Sequence, residues 1–133
     1  MNKNFSRTTS GFTIIELLVT AAFLIVAGSI AAWQFSNIAA STRDDKRKIA
    51  VNSIYYGLEE VYFKQNGAYP EKITSGTLTS VDPKLLSDPS GKKIGESDSD
   101  YRYEPSGCVD GKCASYTLRA DLEAESDYIK KNR

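Results

Sequence analysis

The sequence predicts an α+β protein: a long N-terminal helix, apolar in its first half and amphipathic in its second, packed on a small antiparallel β-sheet head. Three patterns carry this expectation. Residues 17–42 contain no charged side chain and are mostly Leu, Val, Ile, Ala and Phe. Val51, Ile54, Tyr55, Leu58, Val61 and Tyr62 then recur at spacings of three and four, which is one face of a helix. Farther on, Tyr101 and Tyr103 alternate with Arg102 and Glu104. Likewise Tyr116, Leu118, Ala120 and Leu122 alternate with Thr117, Arg119, Asp121 and Glu123, the period of half-buried strands.

Composition narrows the chemistry. The 133 residues hold 17 Lys and Arg against 17 Asp and Glu and no histidine. A formal net charge of zero argues against bulk nucleic-acid binding, which usually shows as a basic excess. Without histidine there is no Ser-His-Asp triad, no Cys-His pair and no His-ligated metal. Two cysteines cannot build a four-thiolate site. The chain is therefore expected not to be an enzyme and to need no cofactor or metal.

The apolar element comes first. Residues 12–33, about 22 in number, span a hydrocarbon core of ~30 Å at 1.5 Å rise per residue. Secretory signals have shorter apolar cores, of about 7–15 residues, although residues 27–32 imitate a small-residue cleavage region. Glu16 is the exception in this segment. A carboxylate inside an apolar span costs up to ~3 kcal/mol at mid-membrane and less near the interface. It either reaches the interface or waits for a cation, and nothing else in the span supplies one. An intramembrane acid with no partner in the chain predicts an intermolecular one.

Gly11-Phe12-Thr13-Ile14-Ile15-Glu16-Leu17-Leu18-Val19 resembles the precursor signature of type IV pilins and pseudopilins, and it stands in front of a membrane-length run. The resemblance implies a leader over 1–11, removed by a membrane-embedded prepilin peptidase between Gly11 and Phe12 on the cytoplasmic side. It implies N-methylation of the new Phe12 amine by the same peptidase/methyltransferase. Glu16 would then pair with the Phe12 amine of a neighbouring subunit as a helical filament grows from an inner-membrane assembly platform. Two such charges compensate each other among apolar helices, whereas either alone is penalised. Cutting after Gly11 leaves the helix in place, so the protein would keep its anchor in lipid before assembly. Many members of the family carry a proline inside this helix. Here no proline precedes Pro70, and Gly28-Ser29 is the one weak point.

The soluble part begins near Arg43. The helical pattern continues to about Gln65, with Lys48, Asn52, Glu59, Glu60 and Lys64 expected mostly on its polar faces. Asn66-Gly67 caps it and Pro70 forbids its continuation. Asn66-Gly67-Ala68-Tyr69-Pro70 also resembles the exit from the long helix in many pilins. Residues 66–100 read as a packed loop anchored by Leu78, Val81, Leu85 and Leu86, with one helical turn at 83–86. Ser90-Gly91-Lys92-Lys93 lacks the spacing of a phosphate-cradling loop.

Residues 101–123 read as a β-hairpin region around Asp110-Gly111, and 124–133 as a tail whose Lys130, Lys131 and Arg133 form a weak anion patch. Cys108 and Cys113 flank the turn. They are a disulfide, half a metal site or two free thiols, and on the outer side of a membrane the disulfide is favoured. It would rigidify the tip more than hold up the fold, at about 2 kcal/mol for so short a loop. The eight tyrosines read as half-buried sheet core rather than a sugar- or DNA-binding face. Asp98, Asp100, Asp110, Asp121 and Asp127 read as a solvated acidic surface rather than calcium ligands, since no EF-hand spacing is present.

The expected organisation is a leader at 1–11, a transmembrane and polymerisation helix at 12–42, and a pilin-like head at 43–133. The head divides into amphipathic helix 43–65, loop 66–100, hairpin region 101–123 and tail 124–133. The expected function is a type IV pilus subunit: a single-pass precursor in the cytoplasmic membrane, N-terminus cytoplasmic and head outside, later part of an extracellular homo-oligomeric filament. Adhesion and twitching motility are roles the family permits, and any contact with nucleic acid would be indirect. One alternative is a pseudopilin of a type II secretion or DNA-uptake system. From another class come a monomeric membrane-anchored ligand-binding domain and a domain secreted after cleavage near Ala32.

Overall fold

In the computed structural model, which describes residues 11–133, the chain turns helical at Ile14 and leaves the helix at Asn66. The expected leader therefore lies outside the described residues except for Gly11. The helical run comprises α1 (Ile14–Tyr56), a π-helical stretch (Gly57–Tyr62) and α2 (Phe63–Asn66). It starts two residues later than Phe12, because Thr13 acts as the cap: its Oγ1 accepts the Glu16 N–H at 3.3 Å. It stops at Gly67, whose φ of 66° is the left-handed cap conformation, with its N–H donating to the Phe63 carbonyl. Gly28-Ser29 leaves α1 unbroken.

By its contacts the chain separates into two units, one ending at Ser36 and the other Asn37–Arg133. The second unit is an α+β head, its helical segment packed on a four-stranded antiparallel sheet. The strands are β1 (Tyr69–Pro70), β2 (Tyr101–Val109), β3 (Lys112–Ala120) and β4 (Tyr128–Lys131). β3 is central. It pairs with β2 through the Asp110-Gly111 turn, with β1 at Tyr69↔Cys113, and with β4 from Thr117↔Lys131 to Ala120↔Tyr128.

The core joins Val51, Ile54 and Leu58 of the helix to Tyr101, Tyr116, Leu118 and Ala120 of the sheet, all under 3% exposed. Leu78, Val81 and Leu86 of the 66–100 segment close over them, and Pro83–Leu86 forms the expected turn as a 3-10 helix. Tyr69, Tyr101 and Tyr116 are buried, and Tyr55, Tyr62, Tyr103 and Tyr128 pack around them, so tyrosine serves the core here. Tyr56 alone stays largely exposed.

Four expectations need correction. Glu59, placed on a polar face, is buried. The π-helical stretch advances the chain by less than 100° per residue, so the face that reaches the core drifts and carries Glu59 inward. The 66–100 segment contains β1. β3 ends at Ala120 rather than near Glu123, because the chain must turn there toward β4. Residues 124–133 are not a tail, since four of them form β4. Two of the three cations there are also engaged: Lys130 Nζ lies 5.3 Å from the centre of the Tyr55 ring, and Arg133 pairs with Glu60 at 2.7 Å.

Candidate functional site

The N-terminal unit gathers Gly11, Phe12 and Glu16 at one helix end. Gly11, Phe12 and Thr13 are exposed and non-helical, with Phe12 79% exposed. Thr13-Ile14-Ile15-Glu16 has the Thr-x-x-Glu spacing of a capping box, of which the structure forms the Thr13 half, its Oγ1 accepting the Glu16 N–H. The acid also sits in the first turn, where the helix dipole favours negative charge. Glu16 thus has a local role as well as any intermolecular one. Among the described residues no cation forms an ion pair with it.

From Ile14 the helix is apolar on every side. Leu17, Leu18 and Val19 point in three directions about 100° apart, and each is roughly 60% exposed. Every residue from Gly11 to Ala39 is exposed, including Phe23, Ile25, Trp33 and Phe35. Its few hydroxyls are folded back onto the backbone. Thr20 Oγ1 donates to the Glu16 carbonyl at 2.6 Å, Ser29 Oγ to Ile25 at 2.8 Å, and Ser36 Oγ to Trp33 at 2.8 Å. A helix with all-round apolar side chains and internally satisfied hydroxyls suits a medium without water. The helix Ile14–Asn66 is long and apolar enough to cross a membrane, which is compatible with a single-pass anchor near the N-terminus.

In the head, ion pairs organise the base of the helix. Asp44 is 1% exposed and accepts backbone N–H groups from Glu123 at 2.9 Å and Ala124 at 2.8 Å. Arg47, 4% exposed, donates to Asp44 at 2.8 Å and Asp100 at 2.7 Å and pairs with Glu123 at 2.8 Å. Burial alone would raise the Asp44 carboxyl, but the two backbone donors and Arg47 outweigh it and hold it below its usual range. Arg43 and Arg47 together pull the Glu123 carboxyl down to about 2.

Of the five expected surface acids, Asp98, Asp110 and Asp127 are exposed, while Asp100 and Asp121 are half-buried in ion pairs. Asp100 is tied to Arg47, and Asp121 to Arg102 at 3.0 Å. Among the described residues no cluster of three or more Cys, Asp or Glu is arranged to hold a metal. The Ser90–Lys93 segment does not present its amides outward either. The buried Asp88 takes the Ser90 and Lys92 N–H groups on Oδ1, both at 2.9 Å, and the Asp100 N–H on Oδ2 at 3.0 Å.

A second buried acid lies higher on the helix. Glu59 receives the Tyr116 hydroxyl at 2.9 Å and the Tyr69 hydroxyl at 3.1 Å. Burial, then the hydrogen bond to Glu59, pushes the Tyr69 hydroxyl up to about 12, and the same causes raise Tyr116. Burial lifts Tyr101 to about 12 as well. Toward the hairpin tip, beside Tyr69, Cys108 and Cys113 form a disulfide across directly paired positions of β2 and β3.

The sequence patterns do not single out Asp44 and Arg47. Their i,i+3 spacing was the available signal. Comparison of the chain with models of protein families, with curated proteins and with solved structures finds no match.

Proposed function

We propose that the chain is a structural subunit of a type IV pilus filament. It enters the cytoplasmic membrane through its apolar helix with the head outside, loses residues 1–11 by cleavage after Gly11, and is methylated on Phe12. It then polymerises through that helix, and no catalytic step is assigned to it. The observation that carries this reading is the helix itself. Its first half is apolar on every side, exposed from Ile14 to Ala39, and opens on Phe12 and Glu16. A monomer can satisfy such a surface only with lipid, whereas copies can bury it against one another. Once the helix has left the lipid, its burial against other copies is worth ~1.5–3 kcal/mol for each large apolar side chain kept from water. Gly28 and Ala32, four residues apart, allow two such helices to approach closely.

Two substitutions separate the charge of Glu16 from its side chain: Glu16→Gln keeps the size and polarity but removes the charge, whereas Glu16→Ala removes both, and either leaves the Thr13 cap on the backbone N–H of residue 16 in place. If Glu16 pairs with a neighbour's Phe12 amine, both variants should insert and be cleaved normally. Both should then lose surface filaments by at least ~100-fold, as expected when one partner of a buried ion pair is removed. Normal filament recovery from Glu16→Gln would sink the pairing.

A further inference from the structure

The head carries an exposed knob and an open groove that its own fold leaves unmatched. The knob is the tip of the β2–β3 hairpin. Asp110 and Gly111 make the turn with φ of 51° and 76°, and the disulfide ties the strands two residues below. Val109, 71% exposed, stands on this tip between the disulfide and Asp110. Lys112 lies directly across from it. Among the described residues neither Asp110 nor Lys112 forms an ion pair. A cross-linked two-residue turn has little freedom left to lose on docking, which favours its use as a contact.

The groove, about 660 Å³, lies where the 66–100 segment meets β2. Ile73, Leu86, Ile94 and Tyr103 form its apolar lining, and Glu71, Lys72, Lys93 and Glu96 its rim. All four rim side chains are exposed. Among the described residues none of them is in an ion pair, and the Glu96 carboxylate accepts only the Lys93 N–H, at 3.2 Å.

We propose that Val109 of one copy seats in the Ile73/Leu86/Ile94 groove of a second copy, with Asp110 facing Lys72 and Lys93 and Lys112 facing Glu71 and Glu96. The occupant is a second copy because the match is twofold. An apolar side chain flanked by one acid and one base meets an apolar floor rimmed by both signs of charge. The chain cannot seat its own tip there. Val109 and Tyr103 lie six residues apart on one extended strand, roughly 20 Å at 3.4 Å per residue. The contact joins different patches on the two copies, the head-to-tail type of interface. It rests on the reading of the chain as an assembling subunit and adds a contact between heads to the contact between helices.

The test places the photo-crosslinking residue benzoylphenylalanine at position 109 of the full-length chain. It is co-expressed with isotopically labelled wild-type chain in cells, irradiated, and the linked peptides are mapped by mass. The expected product joins position 109 of one copy to residues 71–75 or 86–96 of the other isotopic form. Asp110→Lys should cut that product several-fold, and adding Lys72→Glu and Lys93→Glu should restore it. Helix-mediated assembly is read in parallel from the sheared surface fraction. Chains that assemble but link elsewhere, or not at all, overturn this contact alone. Failure of the charge-reversed pair to restore the product overturns the charge pairing. Chains that do not assemble overturn both this contact and the filament reading.

Discussion

Arg47 ties three parts of the head together through one guanidinium: Asp44 on its own helix, Asp100 before β2 and Glu123 after β3. Removing one member of such a group costs more than the group contributes, because it leaves a buried charge without compensation. Arg47→Ala should therefore destabilise the head by about 3–5 kcal/mol, measured by denaturant unfolding. A loss below ~1 kcal/mol, the range of an exposed pair, would mean that water already screens the cluster. This network was only half legible in the sequence. Residue types and spacing put Asp44 and Arg47 on one side of a helix, but their burial depends on the 121–124 turn folding back onto them, a long-range contact that no local pattern announces. The Cys108–Cys113 pair was legible, because five residues and an Asp-Gly turn bring the two positions opposite each other.

At the scale of elements, the π-helical stretch decides how the long helix meets the rest of the head. Gly57 opens it, and a Cβ there would stand 2.5 Å from Val81 Cγ2 and 3.3 Å from Ser80 Oγ. The 78–81 loop packs at that spot because there is no side chain. Gly57→Ala, which would favour an isolated helix, should instead destabilise the head by about 1–3 kcal/mol through overpacking. An unchanged or raised midpoint of thermal unfolding would show that the loop yields at no cost.

The helix, its exit at Gly67, the turn at Pro83–Leu86 and the central hairpin follow from periodicity and turn chemistry. β1 and β4 do not. Two and four residues are too few to show alternation, and both are strands only because β3 offers its far edge to them. Glu59 escaped because a regular 3.6-residue period places it at the edge of the apolar face, and the period is what the π-helical stretch breaks.

For the whole molecule, the charges and tyrosines set a pH window. Asp44 and Glu123 ionise below their ordinary range, Glu123 at about 2 against 4.5. Between those values the unfolded chain holds more protons than the folded one. Stability is full above about 4.5 and lost as pH falls toward 2. Tyr69 and Tyr101 are raised from 10 to about 12, so their contribution is full below 10 and lost as pH rises through 12. The head's unfolding midpoint should therefore form a plateau between about pH 5 and 10 with a fall on each side. A profile with no fall between pH 10 and 12 would show that the two hydroxyls are solvated.

The same molecule joins this head to an exposed apolar helix, and the central claim is that the helix is processed and polymerised. The most direct measurement is the mass of the N-terminal peptide, taken separately from membranes and from material sheared off cells. The filament account predicts a peptide beginning at methylated Phe12 in the sheared material. That terminus confined to membranes would contradict the surface pilus and favour a pseudopilin. An uncut Met1, or a terminus near Trp33, in both fractions would contradict the family reading altogether.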